Sequence, residues 1–110
     1  MNAFVERVRR AEEALGKLFP PTPLQQNVYL SRKTGAQVFL KREDLTHVHS
    51  YKLRGAFTFI RRALESDPTV GSFVCASAGN HAQGFAYACR HFRKQGVVFM
   101  PTTTPQQKID

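Results

Sequence analysis

Residues 72–100 hold the feature that most limits the fold. SFVCA (72–76) is a short apolar run and SAGNHAQG (77–84) turns away from it. Phe85, Ala88, Cys89 and Phe92 then recur at helical spacing, and Val97–Met100 is a second short apolar run. Such runs, bounded by turn residues, predict buried strands. The stripe between them predicts a helix over about 81–95, with Gly96 as its C′ residue. Two strands linked by a helix pair in parallel, through a right-handed crossover. The expected class is α/β: parallel-sheet βαβ units with flanking helices.

The rest of the chain fits that class. Phe4, Val8, Ala11, Leu15 and Leu18 predict a helix over 3–18, with Asn2 as its cap and Pro20–Pro21 as its stop. Leu24, Val28 and Leu30 suggest an extended segment, Arg32-Lys33-Thr34-Gly35 a turn, and QVFLKR (37–42) a strand. A polar loop, 43–50, leads into a helix over about 51–65, capped by Ser50, with Leu53, Ala56, Phe57, Ile60, Ala63 and Leu64 on one face. Thr104-Pro105-Gln106-Gln107 reads as a helix start close to the end of the chain. We therefore expect 1–110 to be a single partial domain, the front part of something longer.

Composition narrows the function classes. Apolar content of 42% and charged content of 22% suit a globular chain. No apolar run approaches the roughly 20 residues of a membrane span, and MNAFVERVRR lacks a signal peptide's apolar centre. Two cysteines are too few for a disulfide framework, which favours a cytoplasmic protein with free thiols. The net charge of +8 could suit a polyanion, but the basic residues come as scattered pairs and solvated faces explain them.

Two stretches carry possible chemistry. SAGNHAQG joins a buried strand to a helix, where free N–H groups and the positive dipole end favour anions. Gly79 permits close backbone approach, and Ser77, Asn80, His81 and Gln83 add polar groups. A turn capped by Asn80 with no ligand is equally compatible with the spacing. In HSYKLRG (49–55), Lys52 sits at a helix start, where cations are not usually placed. It is either a solvated charge or an amine held for reaction. His47 and His49 lack a third metal ligand, so no metal is expected. Cys75 and Cys89 read as core residues, although Cys75 with His81 is conceivable as a nucleophile–base pair.

Taken together, K41REDLTHVHSYKLRGAF and C75ASAGNHAQGFA resemble the pyridoxal-phosphate enzymes of fold type II, and within them the threonine dehydratases. Both blocks occur in the family's order and separation, with Thr22-Pro23-Leu24 upstream, over roughly residues 20–110. The resemblance implies pyridoxal 5′-phosphate as cofactor. Lys52 matches the family's Schiff-base lysine, and Tyr51 falls where a phenylalanine usually packs near the cofactor ring. Asn80 matches the asparagine bonded to the cofactor's phenolic oxygen. Ser77, Ala78, Gly79, Asn80 and His81 match the loop that holds the substrate carboxylate.

The implied reaction removes water and ammonia from L-threonine, or from L-serine, in isoleucine biosynthesis. A homo-oligomer with a small amino-acid substrate is implied, with no nucleic acid or membrane partner. Serine racemases of this family carry a second serine in the loop where this chain has Ala78, which favours elimination. The family's glycine-rich phosphate loop and the residue facing the pyridine nitrogen have no counterpart in these residues. The chain alone is therefore expected to bind the cofactor weakly and to lack useful activity. A related serine dehydratase or racemase, or a basic fragment that self-associates or binds nucleic acid, are the alternatives.

Overall fold

The computed structural model describes residues 2–108. Helix α1 spans Ala3–Gly16, and Asn2 Oδ1 accepts from Phe4 N at 2.9 Å, so the expected cap forms. Its apolar stripe is only half used. Leu15 is buried, while Phe4 and Val8 remain exposed. Strand β1 (Leu24–Gln26) pairs antiparallel with β2 (Phe39–Lys41).

Between them the extended reading of 28–30 and the turn reading of 32–35 are both corrected. Val28–Thr34 is a helix, α2. Asn27 Oδ1 accepts from Leu30 N at 2.8 Å, and Gly35 closes the helix at φ 70°, a left-handed conformation that glycine adopts freely. A local cap at each end outweighs a weak alternation of apolar residues.

The centre is α3 (Lys52–Ser66) packed on α4 (Asn80–His91). Leu53 and Ile60 are fully buried, and Ala56, Phe57, Phe85, Ala88 and Cys89 join them in the core. β3 (Ser72–Ala76) and β4 (Gln95–Phe99) pair in parallel, from Ser72 opposite Gln95 to Ala76 opposite Phe99. The expected βαβ unit is therefore present. Phe73, Cys75 and Val98 pack against the core, whereas Val74 and Phe99 are more than 60% exposed.

Gly96 is not a helix cap. It lies in β4, where an added Cβ would come within 3.0 Å of Cys89 Sγ and Phe85 Cε1. The helix stops at His91, and Arg93 takes the positive φ, 53°, that the sequence reading gave to glycine. Near the end, Gln106–Lys108 makes one 3-10 turn; Ile109 and Asp110, which that expected helix would include, lie outside the described residues.

Gly84 sets the approach of the two central helices. A Cβ there would lie 2.9 Å from Leu53 N and 3.0 Å from the Lys52 carbonyl carbon, both backbone atoms that cannot rotate away. Gly55, inside α3, has nothing within 4 Å of an added Cβ. Gly84→Ala should therefore cost about 1–3 kcal/mol through forced separation of the helices. Gly55→Ala should stabilise by about 0.4–1 kcal/mol by restricting the unfolded chain. Urea denaturation of the two variants checks the opposite signs.

Candidate functional site

The loop after β3 is built by short polar contacts. Ser77 N donates to Phe99 O at 3.0 Å, extending the β3–β4 ladder. Ser77 Oγ accepts from Gly79 N at 3.2 Å and closes the turn. Gly79 is the N-cap residue of α4, so Asn80 begins the helix rather than capping it. No side chain caps α4, which leaves its first N–H groups available. Asn80 and His81 are exposed, and Ser77, Ala78 and Gly79 are half-buried. A Cβ on Gly79 would meet nothing within 4 Å, so packing does not require glycine there. The open space lies where a ligand would approach the loop.

The second half of the site is the start of α3. Ser50 does not cap it. Thr46 Oγ1 donates to Ser50 O and accepts from Ser50 N, at 2.9 and 3.1 Å, and this tight loop leaves the buried Ser50 hydroxyl with no hydrogen-bond partner. Tyr51 is the N-cap residue, with no side-chain cap, and is 60% exposed. Lys52 is half-buried, with Nζ 5.2 Å from the Tyr51 ring centroid. It makes no ion pair with any described residue.

Gly84 packs on the Lys52–Leu53 peptide, so Lys52 lies about one turn of α4, roughly 6 Å along the axis, from the level of Asn80. The first turn of α3, which carries Lys52, thus lies near the start of α4 at the carboxyl end of a parallel strand, and Lys52 has no acidic partner among the described residues. Such a group of donors suits an anionic ligand with an electrophilic carbon.

Other candidates resolve differently. His47 stacks on Tyr87 at 5.4 Å and 9°, while His49 Nδ1 contacts the Asp44 carbonyl at 3.0 Å. The two imidazoles therefore serve separate contacts. Among the described residues no three His, Cys, Asp or Glu side chains gather to hold a metal. Cys75 and His81 line one cavity of about 250 Å³ together with Phe59 and Phe85. Burial pushes the Cys75 thiol up, which opposes the thiolate a nucleophile needs.

Sequence reasoning assigned no role to Thr22, Glu43 or Arg54. Arg54 Nε donates to Glu43 Oε2 at 2.7 Å and Nη2 to Oε1 at 2.9 Å; Thr22 Oγ1 donates to Oε1 at 2.6 Å. The signal was the recurrence of Lys-x-Glu and Lys-x-Arg in the quoted blocks, which pairs one acid with one fork. The Arg54 hydrogen bond holds the Glu43 carboxyl below its ordinary 4.5, against the opposing effect of desolvation. A depressed carboxylate adds stability that is complete above the unfolded value and is lost as pH falls through the folded one. The stability gap between the native chain and Glu43→Gln should therefore be constant above about pH 5.5 and close on acidification below 4.5. Urea denaturation across pH 3–7 checks this.

The profile of the family described as "Pyridoxal-phosphate dependent enzyme" matches residues 16–110. The chain is 50% identical over 103 residues to a biosynthetic L-threonine dehydratase of Mycobacterium tuberculosis, covering 94% of this chain and 24% of that protein. The Bacillus subtilis counterpart is 46% identical over 105 residues, covering 96% and 25%. The chain thus spans about a quarter of the length of the curated relatives it matches. Among solved structures, a pyridoxal 5′-phosphate-dependent aspartate racemase superposes with TM-score 0.89 at 34% identity, over 96% of this chain and 33% of the other. The processed threonine deaminase isoform 2 of Solanum lycopersicum gives 0.72 at 42% identity, over 82% and 24%.

Proposed function

The chain belongs to the pyridoxal-phosphate dependent enzymes, and from that premise we propose that it is the N-terminal part of a lyase that converts L-threonine to 2-oxobutanoate and ammonia, and L-serine to pyruvate. The observation that carries this reading is Gly84 of α4 packed on the Lys52–Leu53 peptide, which sets the Lys52 backbone about one helical turn from the level of Asn80. The same residues fit the cofactor: an amine for its aldehyde, an exposed aromatic face at Tyr51 for its ring, and a side-chain amide at Asn80 for its phenolic oxygen.

When bound, the cofactor supplies an electron sink for the carbanion at the substrate's α-carbon. Lys52 would hold the cofactor through its aldehyde, leaving the amine free once substrate is bound. Its freed Nζ then takes the α-proton as general base. The N–H groups at the start of α4, with Ser77, Gly79, Asn80 and His81, hold the substrate carboxylate and fix which bond faces Lys52. The β-carbon–oxygen bond breaks, and the departing hydroxide takes up the proton that Lys52 removed and leaves as water. The released enamine then takes up water and loses ammonia. The Ala78 side chain carries no proton donor or acceptor, so position 78 offers no second base to complement Lys52.

Parallel sheets are covered on both faces, yet Val74, Val97 and Phe99 stay exposed on one face of β3–β4. The radius of gyration is 16.8 Å, against about 13 Å for a closed domain of this length. Both support a partial domain whose open face the rest of a full-length homo-oligomeric protein would cover. Arg10, Arg42, Arg54 and Arg61 each pair with an acid of this chain, which weakens the case for a nucleic-acid partner. Free Cys75 and Cys89 suit the cytoplasm.

Borohydride reduction of the full-length protein with pyridoxal phosphate should place the label on Lys52. Lys52→Ala should lower 2-oxobutanoate formation by about 10³-fold or more. A variant that keeps its turnover, or a label on other lysines alone, would defeat the proposal. The 110-residue chain by itself should give no measurable ketoacid.

A further inference from the structure

We propose that Glu43, Arg54 and Thr22 form a positioning clamp that fixes the first turn of α3 and so aims the Lys52 amine at the 77–81 loop; this rests on the reading of Lys52 given above. The start of α3 rests on Gly84 through its backbone but has no side-chain cap. Tyr51 makes no side-chain cap, and the buried Ser50 hydroxyl is unpartnered. The clamp supplies what is missing, from two residues further on.

Arg54 uses both edges of its fork. Nε and Nη2 grip the two oxygens of Glu43, and Nη2 also reaches Thr22 Oγ1 at 3.4 Å. The Lys41 amine donates to the Thr22 carbonyl, anchoring the segment that carries that hydroxyl. The guanidinium lies 5.1 Å from the Phe19 ring centroid; Phe19 meets His47 edge-on at 6.1 Å, and His47 stacks on Tyr87 of α4. Four separate stretches (19–22, 41–47, 54 and 87) are thus linked through Arg54, two residues after Lys52. The chain of contacts ends on the helix that carries Asn80.

Residues two apart on a helix lie about 200° apart around its axis. Arg54 therefore holds one side of the first turn while Lys52 leaves from the other. What the fork fixes is the rotation of that turn, and a lysine, with one point of contact, cannot fix it. The later turns of α3 do not need the clamp, because Phe57 and Ile60 are already buried; in the first turn the fork adds a second fixed point to the buried Leu53. A partly buried ion pair adds little net stability once desolvation is counted, but it does define geometry.

The test incubates the full-length protein with pyridoxal 5′-phosphate, reduces with borohydride, and maps the label on Lys52 against Lys17 and Lys94. Amide exchange is followed at 53–57 and at Ile60. Arg54→Lys, Glu43→Gln and Thr22→Val should each lower the Lys52 share of label by about tenfold and speed exchange at 53–57, with Ile60 unchanged. Thr22→Ser, which keeps the hydroxyl, should behave as the native chain. Unchanged Lys52 labelling in all three variants would overturn the clamp, as would equal loss of protection at Ile60, the mark of a merely structural role. If the native chain itself shows no preference for Lys52, the reading of Lys52 fails and the clamp falls with it.

Discussion

The bare α-carbon of Gly84 against the Lys52–Leu53 peptide is the contact on which the rest depends. Helix axes usually pack 8–10 Å apart, at a distance set by the side chains between them. Here one side chain is missing at the crossing, and α4 rests directly on backbone. That brings the first turns of α3 and α4 together. Two positive dipole ends so placed repel each other weakly, and burial of Leu53, Ile60, Phe85 and Ala88 offsets the repulsion. The outcome is that the starts of both helices, with their free N–H groups, lie near one another.

Stability and chemistry occupy opposite sides of the same elements. α4 buries Ala82, Phe85, Ala88 and Cys89 while it exposes Asn80 and His81. α3 buries Leu53 and Phe57 and leaves Lys52 at its rim. The loop between β3 and α4 is held by two hydrogen bonds, both involving Ser77, and the polar groups beyond it are left for a ligand. A substitution at the exposed residues can therefore change binding without touching the core, and this separation lets a small scaffold carry a polar site.

Much of this was legible in the sequence, for reasons that differ by element. The β3–α4–β4 unit announced itself because its apolar residues switch period between strand and helix within thirty positions. Asn2 was readable as a cap because the interaction is local. The helix at 28–34 was missed because its evidence is at the two ends, Asn27 and Gly35, not in its apolar pattern. Gly96 was misread because a glycine after a helix usually serves the backbone; here it makes room for Cys89 and Phe85, which only the packing reveals. Ser50 failed as a cap because Thr46 had already bent the preceding loop. The Thr22–Glu43–Arg54 contacts join residues up to thirty-two positions apart, and periodicity carries no information at that range.

Backbone shape alone does not decide the reaction. The chain superposes on an aspartate racemase with TM-score 0.89 and on a threonine deaminase with 0.72, so one arrangement of strands and helices supports both chemistries. The choice must lie in side chains at the loop. Racemisation needs a proton carrier on each face of the α-carbon; elimination needs one base and a departing β-group. In our reading Lys52 supplies the one base. At position 78 the methyl group of alanine can neither give nor take a proton, and Cys75, whose thiol burial keeps protonated, does not replace it. In that reading a missing functional group would favour elimination over racemisation as much as the groups present.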